Sequence, residues 1–283
     1  MSLLTQCECK MPAHIQIVDF TSDHLEAAVS LSVSVGWPHQ RKDWAMLLDL
    51  SHGVVACTED RIVGTAFRTD FGADQSCINM VIVDQNLRGT GVGYALTSAA
   101  LHPDDNRAHR LVATRLGKPL YQKLGFTVAG HVLQMMGTVG SVPLAQSISD
   151  ATHGDLRLVR ALDTQAFGGD RTGLINWLFE HSQIAVTRTD EHISGYAALR
   201  RFGPGYVIGP VVANTLEAAQ NLILYLLHRV PRHIVRIDIQ EESGLAPWLE
   251  NLGLMTVDRP TVMTRGLVHL NPTYCALFSQ ALS

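Results

Sequence analysis

The segment Arg88-Gly89-Thr90-Gly91-Val92-Gly93 sets one arginine and three glycines between an apolar run, Ile78 to Val83, and a helical pattern that starts at Val92. Glycine lets a backbone take positive φ and come close to an anion. The first turn of a helix adds N–H groups with no in-helix acceptor and the positive end of the dipole. Together these make a phosphate cradle, and Arg88 supplies a cation suited to phosphate oxygens. Two other phosphate-binding spellings fit poorly. No Gly-Lys-Ser/Thr opens the helix. The glycines are spaced G-x-G-x-G, not G-x-G-x-x-G, and they lie deep in the domain instead of in its first strand–helix turn, which disfavours a dinucleotide-dependent oxidoreductase.

The elements around the loop follow from periodicity. Ile15 to Asp19 reads as a strand, and Thr21-Ser22-Asp23 opens a helix carrying Leu25, Ala28, Leu31 and Val35 at helical spacing. Gly36-Trp37-Pro38 ends it, and Trp44, Leu47 and Leu48 mark a second helix. Val54 to Thr58 and Ile62 to Phe67 form a hairpin about Glu59-Asp60-Arg61. After the glycine loop, Val92, Ala95, Leu96, Ala99 and Ala100 define a helix that stops at His102-Pro103-Asp104-Asp105-Asn106. A strand from Arg110 to Leu116 follows, then a short helix from Pro119 to Gly125, and a strand from Phe126.

The second half repeats this order. Helices centre on Leu156, Val159 and Leu162 and on Leu174, Ile175 and Leu178. Ile184 to Arg188 and His192 to Leu199 form a hairpin, and Tyr206 to Val212 a strand. A helix from Leu216 has Asn214 or Thr215 as N-cap; a strand from Ile234 to Ile239 and a helix from Leu245 to Leu252 complete the set. Leu124-Gly125-Phe126 and Leu252-Gly253-Leu254 share one spelling. An internal duplication explains both the order and the spelling. The expected division is a flexible segment over 1–14, a first domain over 15–139, a linker over 140–150 and a second domain over 151–283.

Composition limits the function. The 283 residues are 46% hydrophobic and carry a formal net charge of -4, which excludes a broad basic surface for nucleic acid. No run of about 18 uncharged apolar residues predicts a membrane span, and Met1 to Met11 lacks the apolar core of a secretion signal. A cytoplasmic protein is expected. Cys7, Cys9, Cys57, Cys77 and Cys275 are an odd, scattered set without a disulfide framework. The densest histidine cluster, His102 and His109 with Asp104 and Asp105, lacks ligand spacing, so no metal is expected.

The spelling R-x-x-G-x-G, placed after Val81, Ile82 and Val83, resembles the acetyl-CoA-binding motif of the GNAT superfamily of N-acetyltransferases. Leu120-Tyr121-Gln122-Lys123-Leu124-Gly125-Phe126 resembles that family's second block. More narrowly, Gly36-Trp37-Pro38, Asp43-Trp44 and Ala166-Phe167-Gly168-Gly169-Asp170-Arg171 resemble marks of bacterial tandem GNAT proteins. The resemblance implies an α/β (α+β) chain of two tandem GNAT-like domains, the second divergent, each a mixed, mostly antiparallel sheet flanked by helices. It implies transfer of an acetyl group from acetyl-CoA to a primary amine by direct attack in a ternary complex. The acceptor is expected to be a small molecule in preference to a protein.

The resemblance also implies roles. Backbone groups of Val81, Ile82 and Val83 would pair with the pantetheine arm, and amides of Arg88, Gly89, Thr90, Gly91, Val92 and Gly93 would bind the pyrophosphate. An N–H near Val81 would stabilise the oxyanion, and Tyr121 would protonate the departing thiolate. Where many relatives carry a glutamate base, this strand offers Cys77 and Asn79; ordered water, Asp43 or Asp70 remain open as the base. Cys77 has no His–Asp partner in sequence for an acyl-enzyme. Trp37, Asp43, Asn79 and Asp170 are the candidate acceptor-pocket residues.

The second half departs from the motif. Val212 is followed by Ala213-Asn214-Thr215-Leu216-Glu217, without glycine or arginine, and Leu249 stands at the tyrosine position. That half is expected neither to bind coenzyme A nor to catalyse, but to wall the acceptor cleft or mediate dimerisation, with a homodimer left open. The alternative to an enzyme is a coenzyme A-binding regulator without turnover.

Overall fold

The computed structural model describes residues 12–59, 61–101, 106–145, 147–189, 192–268 and 271–283. Cys7 and Cys9, most of the expected flexible N-terminal segment, and His102, Asp104 and Asp105 lie outside the described residues, as do Asp60, Asp190 and Glu191 of the two expected hairpin turns.

The chain forms two compact units. The first is Met1–Thr69 with Ile78–Asp105, and the second is Asp70–Cys77 with Asn106–Ser283. These units do not follow the two sequence halves. No described helix is long and apolar enough to cross a membrane.

In the first unit, β1 (Gln16–Asp19), β2 (His52–Cys57) and β3 (Ile62–Asp70) run as an antiparallel meander, and β4 (Gln75–Val83) follows β3 in the sheet. α1 (Leu25–Ser34), α2 (Arg41–Leu50) and α3 (Val92–Leu101) complete it. β3 is buried along nearly its whole length, as a strand covered on both faces must be. Phe20, Trp44 and Phe67 pack their rings 4.8 to 5.8 Å apart. α3 buries Val92, Leu96, Thr97, Ala100 and Leu101. It approaches β3 closely because residue 64 is glycine: a Cβ there would lie 2.7 Å from Leu96 Cδ1 and 2.9 Å from the Ile82 carbonyl oxygen.

The second unit contains β5 (Ala108–Ala113), α4 (Lys118–Lys123), β6 (Thr127–Thr138), β7 (Ile148–Asp150), α5 (Leu156–Phe167), α6 (Thr172–His181), β8 (Gln183–Thr189), β9 (His192–Phe202), β10 (Gly205–Ala213), α7 (Leu216–Leu227), β11 (Ile234–Gln240), α8 (Ala246–Asn251), β12 (Leu254–Asp258), β13 (Thr261–Arg265) and β14 (Tyr274–Ala276). β5 is shorter at its end than the sequence suggests, because Thr114 turns the chain by accepting from the Gly117 and Lys118 amides. β7, inside the expected linker, pairs with β8. α7 supplies Ala219, Leu222, Ile223, Leu226 and Leu227 to the core under β8, β9 and β10.

Two late strands decide the topology of this unit. β13 lies between β5 and β6, antiparallel to both. β14 lies between β10 and β11. β6 is the spine, pairing with β13 through Thr127 to His131 and with β11 through Val132 to Thr138.

The duplication is visible element by element. Each half runs strand, two helices, three strands, helix, strand, short helix, strand. Thr21 and Thr152 each open the 3-10 turn before the first α-helix of their half with a capping box, their amides donating to His24 Nδ1 at 3.0 Å and to Asp155 Oδ2 at 2.8 Å. α4 and α8 each have proline in the first turn. Gly125 and Gly253 follow them with φ of 84° and 92°. The sheet in each half is antiparallel except for one parallel pair, β4 with β5 and β10 with β11. A mixed, mostly antiparallel sheet with flanking helices is thus present, as expected.

Candidate active site

In the first unit, β-branched residues Ile78, Val81, Ile82 and Val83 favour the extended conformation of β4. The strand is interrupted at Met80, whose φ is 46°. This left-handed conformation costs a non-glycine residue roughly 1–3 kcal/mol and so needs external support. Thr65 Oγ1 donates to the Met80 carbonyl oxygen at 2.7 Å. The parallel register of β4 with β5 covers Gln75 to Cys77 and ends there. Val81 and Val83 are half-buried, and Ile82 is buried.

Asp84 ends the strand. Its carboxylate accepts from the Asn86 amide at 2.9 Å and from Arg61 Nη1 at 2.6 Å. The Asn86 amide and then the Arg61 guanidinium hold this carboxyl below its usual range. A 3-10 turn, Gln85–Leu87, leads into the glycine loop. Gly89 and Gly91 have φ of 80° and 90°, a region closed to most side chains, so these two glycines set the path of the loop. Thr90 Oγ1 donates to the Leu87 carbonyl at 2.7 Å. Arg88 is exposed. The first in-helix bond runs from the Ala95 amide to the Gly91 carbonyl, which leaves the earlier amides of α3 for an external acceptor. Burial of Val92, Leu96 and Leu101 contributes roughly 1.5–3 kcal/mol each, enough to anchor the helix start against the cost at Met80.

Asn79, Asp43 and Trp37 also lie in this unit. Asn79 is buried and donates through Nδ2 to Thr69 Oγ1 at 2.9 Å, and Thr69 in turn meets Ser51 Oγ at 2.6 Å. Asp43 is buried at the third position of α2, where its carboxylate receives the Gln40 amide at 2.8 Å. That capping role gives Asp43 a structural task. Trp37 is half-buried beside His39, with ring centroids 5.8 Å apart, whereas Trp44 is fully buried.

The second unit holds Tyr121, Cys77, Asp70 and Asp170. Tyr121 lies on α4, buried, with its ring 6.0 Å from Phe126. Burial pushes its phenol above the usual range, and nearby Cys77 adds to that. Asp70 faces Arg107 at 3.6 Å. Asp170 is exposed and accepts the Thr172 amide at 2.8 Å in the turn that leads into α6. The Thr172 side chain, and then its amide, lower the Asp170 pKa. Among the described residues, no group of three or more His, Cys, Asp or Glu side chains could hold a metal ion.

The second unit also holds a buried polar cluster, of which the sequence reading singled out only Arg171, as part of the segment Ala166 to Arg171. Arg171 is fully buried and grips Asp163 through Nε at 3.0 Å and through Nη2; Tyr196 donates to the same carboxylate. Arg171 Nη1 donates to the Tyr274 hydroxyl at 2.9 Å. Burial works against the Arg171 charge, but Asp163 outweighs it and holds the guanidinium above its ordinary range. Arg110 on β5 is 4% exposed and lies 4.4 Å from the ring centre of Phe167, the same ring that Arg171 approaches at 4.0 Å. Burial pulls Arg110 down to about 10. Its Nε and Nη1 are buried with no hydrogen-bond partner. An arginine directly before the apolar run Leu111-Val112-Ala113, on the same strand, was the available signal.

Residues 49–128 and residues 159–279 each match a family model described as an acetyltransferase (GNAT) domain. The chain is a tandem GNAT acetyltransferase. As a GNAT protein it is an acyl-CoA N-acyltransferase, of a family whose members use acetyl-CoA as donor. It is 26% identical to the uncharacterized N-acetyltransferase YitH of Bacillus subtilis, over 94% of this chain and 98% of that one. Among solved structures, a Pyrococcus horikoshii protein assigned as an acetyltransferase shares the fold with a TM-score of 0.83 at 18% identity, covering 97% of this chain and 98% of that one. A tandem GNAT protein from the clavulanic acid biosynthesis pathway shares it with a TM-score of 0.64 at 16% identity, covering 89% and 98%.

Proposed function

We propose that this tandem GNAT protein transfers an acetyl group from acetyl-CoA to a primary amine on a small molecule, by direct attack within a ternary complex in the cytoplasm. The observation that carries the reading is the strand–loop–helix of β4 and α3. Gly89 and Gly91 take left-handed φ there, Arg88 is exposed beside them, and α3 starts with amides lacking in-helix acceptors. These features fit a diphosphate.

When bound, acetyl-CoA supplies the activated acyl group. In this reading the amides from Arg88 to Gly93 bind the pyrophosphate, and the backbone of Val81, Ile82 and Val83 orients the pantetheine arm as an added strand would. Tyr121 holds a proton at its phenolic oxygen and gives it to the departing thiolate. Its raised pKa keeps that proton in place at neutral pH. Asn79 is an amide that cannot accept the ammonium proton, and Asp43 is engaged in capping. This supports proton removal from the amine through ordered water, or by Asp70.

The second half supports a structural role. Thr215 Oγ1 already accepts the Ala218 amide at 3.1 Å at the start of α7, Glu217 sits in that first turn, and Leu249 is buried where the first half has Tyr121. β14 fills the gap between β10 and β11 that corresponds to the end of the β4–β5 register.

Release of free coenzyme A, followed against a panel of small amines, tests the reading. Turnover with at least one amine supports it. Tight coenzyme A binding without turnover on any amine would instead favour the regulator, to which the absent carboxylate at Asn79 points.

A further inference from the structure

The carbonyls in the last turn of α1 have no in-helix donor and need one from outside. Ser32 receives the Val35 amide at 3.2 Å and the Trp37 amide at 2.9 Å, and Val33 receives the Gly36 amide at 2.9 Å. Gly36, with φ of 79°, is the left-handed residue that closes such a helix end. The Ser34 carbonyl is capped differently. Its donor is the Gln85 side chain, whose Nε2 lies 2.9 Å away across 51 positions of sequence. Gln85 is the first residue of the turn that leads into the glycine loop. Its own carbonyl receives the Arg88 amide at 3.4 Å, a long hydrogen bond. The other side of the turn is fixed, because Asp84 accepts from the Asn86 amide and from Arg61, and its amide donates to the Val63 carbonyl at 2.8 Å. One residue thus links Arg88 to the helix end that sets the backbone of Trp37.

We propose that Gln85 is a positioning residue that couples the glycine loop to Trp37, so that a diphosphate carrier and an amine acceptor favour each other's binding. The two ligands are those of the acetyl-transfer reading above, on which this coupling rests. The Gln85–Arg88 bond is long, so the loop alone constrains the turn weakly. A diphosphate held by the loop amides adds that constraint. A fixed turn then keeps Gln85 Nε2 on the Ser34 carbonyl, which steadies the end of α1 and the residue where the chain leaves it for Trp37. Trp37 is half-buried, so its ring answers to a small change at that helix end. Gln85 is exposed and adds nothing to the apolar core, so its loss removes the link and leaves the unit folded. Coupling of this kind is reciprocal: an amine held at Trp37 tightens the loop as much as the carrier tightens the site of the amine.

The test is hydrogen–deuterium exchange on the full chain with and without coenzyme A. Coenzyme A should slow exchange of the amides from Arg88 to Gly93, and also of Gly36 and Trp37, the latter two by roughly 3- to 10-fold, the scale of one hydrogen bond. In Gln85→Ala the response at Gly36 and Trp37 should vanish while that of the loop stays, with little change in melting temperature. Gln85→Lys, which keeps an N–H donor for the helix-end carbonyl, should restore it. A merely structural role would leave the coenzyme A response in every variant. With an amine that turns over, Gln85→Ala should raise the KM for the amine by roughly 3- to 10-fold and keep kcat within about twofold. Protection of the loop with no response at Gly36 and Trp37 in the wild-type chain overturns the coupling and leaves the acetyl-transfer reading standing. So does a response, or a KM, that Gln85→Ala leaves unchanged. A loop that coenzyme A does not protect overturns the coenzyme A reading, and the coupling with it.

Discussion

Arg171 and Asp163 form a fully buried pair joined by two hydrogen bonds, and Tyr196 donates to the same carboxylate. Each member satisfies the other, so removing one leaves a charge that nothing near it can replace. Asp163→Asn is expected to destabilise the chain by about 3–5 kcal/mol, the usual result of stranding one partner of a buried ion pair. Urea unfolding followed by circular dichroism measures this, and a loss under ~1 kcal/mol would show that the pair does not hold the second unit together.

The glycine loop makes a separate prediction. Gly91→Val forces a β-branched residue to φ near 90°, so the loop must change path while α3 keeps its buried face. Coenzyme A affinity should fall by at least ~10-fold, with a smaller change in the melting temperature. Arg88→Ala, which removes an exposed cation, should weaken binding with no change in stability. Calorimetry on both variants reads the outcome.

Tyr121→Phe should lower kcat by ~100-fold or more and leave KM nearly unchanged, the effect of losing a general acid. The pH profile gives a second check. Burial raises the folded-state pKa of the phenol above its ordinary value of 10.0. The proton is therefore held through that pH, and the stability gained by keeping it is lost only as pH rises through the folded value. No alkaline fall in kcat below pH 10.0 should trace to Tyr121.

Asp84 behaves in the opposite sense. Its folded pKa is lowered from 3.8 by the Asn86 amide and Arg61. Its contribution is present above pH 3.8 and is lost as pH falls through the folded value. Asp84→Asn should remove the part of the acid-induced loss of coenzyme A binding that sets in below pH 3.8, as followed by fluorescence titration.

Coenzyme A should bind at one site per chain. β14 and Thr215 already occupy the groups that a second site would use. A calorimetric stoichiometry near two would contradict the structural role given to the second half.

Local signals carried most of what the sequence revealed. The β-branched run before Gly89, the helical spacing after Gly91, and the Leu-Gly pairs at 124 and 252 each depend on neighbours within a few residues. The boundary residues were read less well. Gln40 with Asp43 is a capping pair and Asp170 with Thr172 a turn pair, both of legible spacing, yet both acids were taken as site candidates. The places of β13 and β14 had no local signal, because their partners lie far away along the chain. Arg110 was taken only as the start of a strand; its burial appears only when Phe167 and Tyr274 arrive from the other half.

The strand that completes the gap between β5 and β6 is made late. Thr127 meets Thr264 across 137 positions of sequence. During synthesis both edges of that gap wait, unpaired, while the whole second half is translated. Open edges of this kind invite pairing with other chains, and long-range closure is slow. Nascent chains stalled before residue 261 should therefore engage holdase chaperones, and a separately supplied peptide spanning Thr261–Arg265 should compete for the vacancy while it lasts.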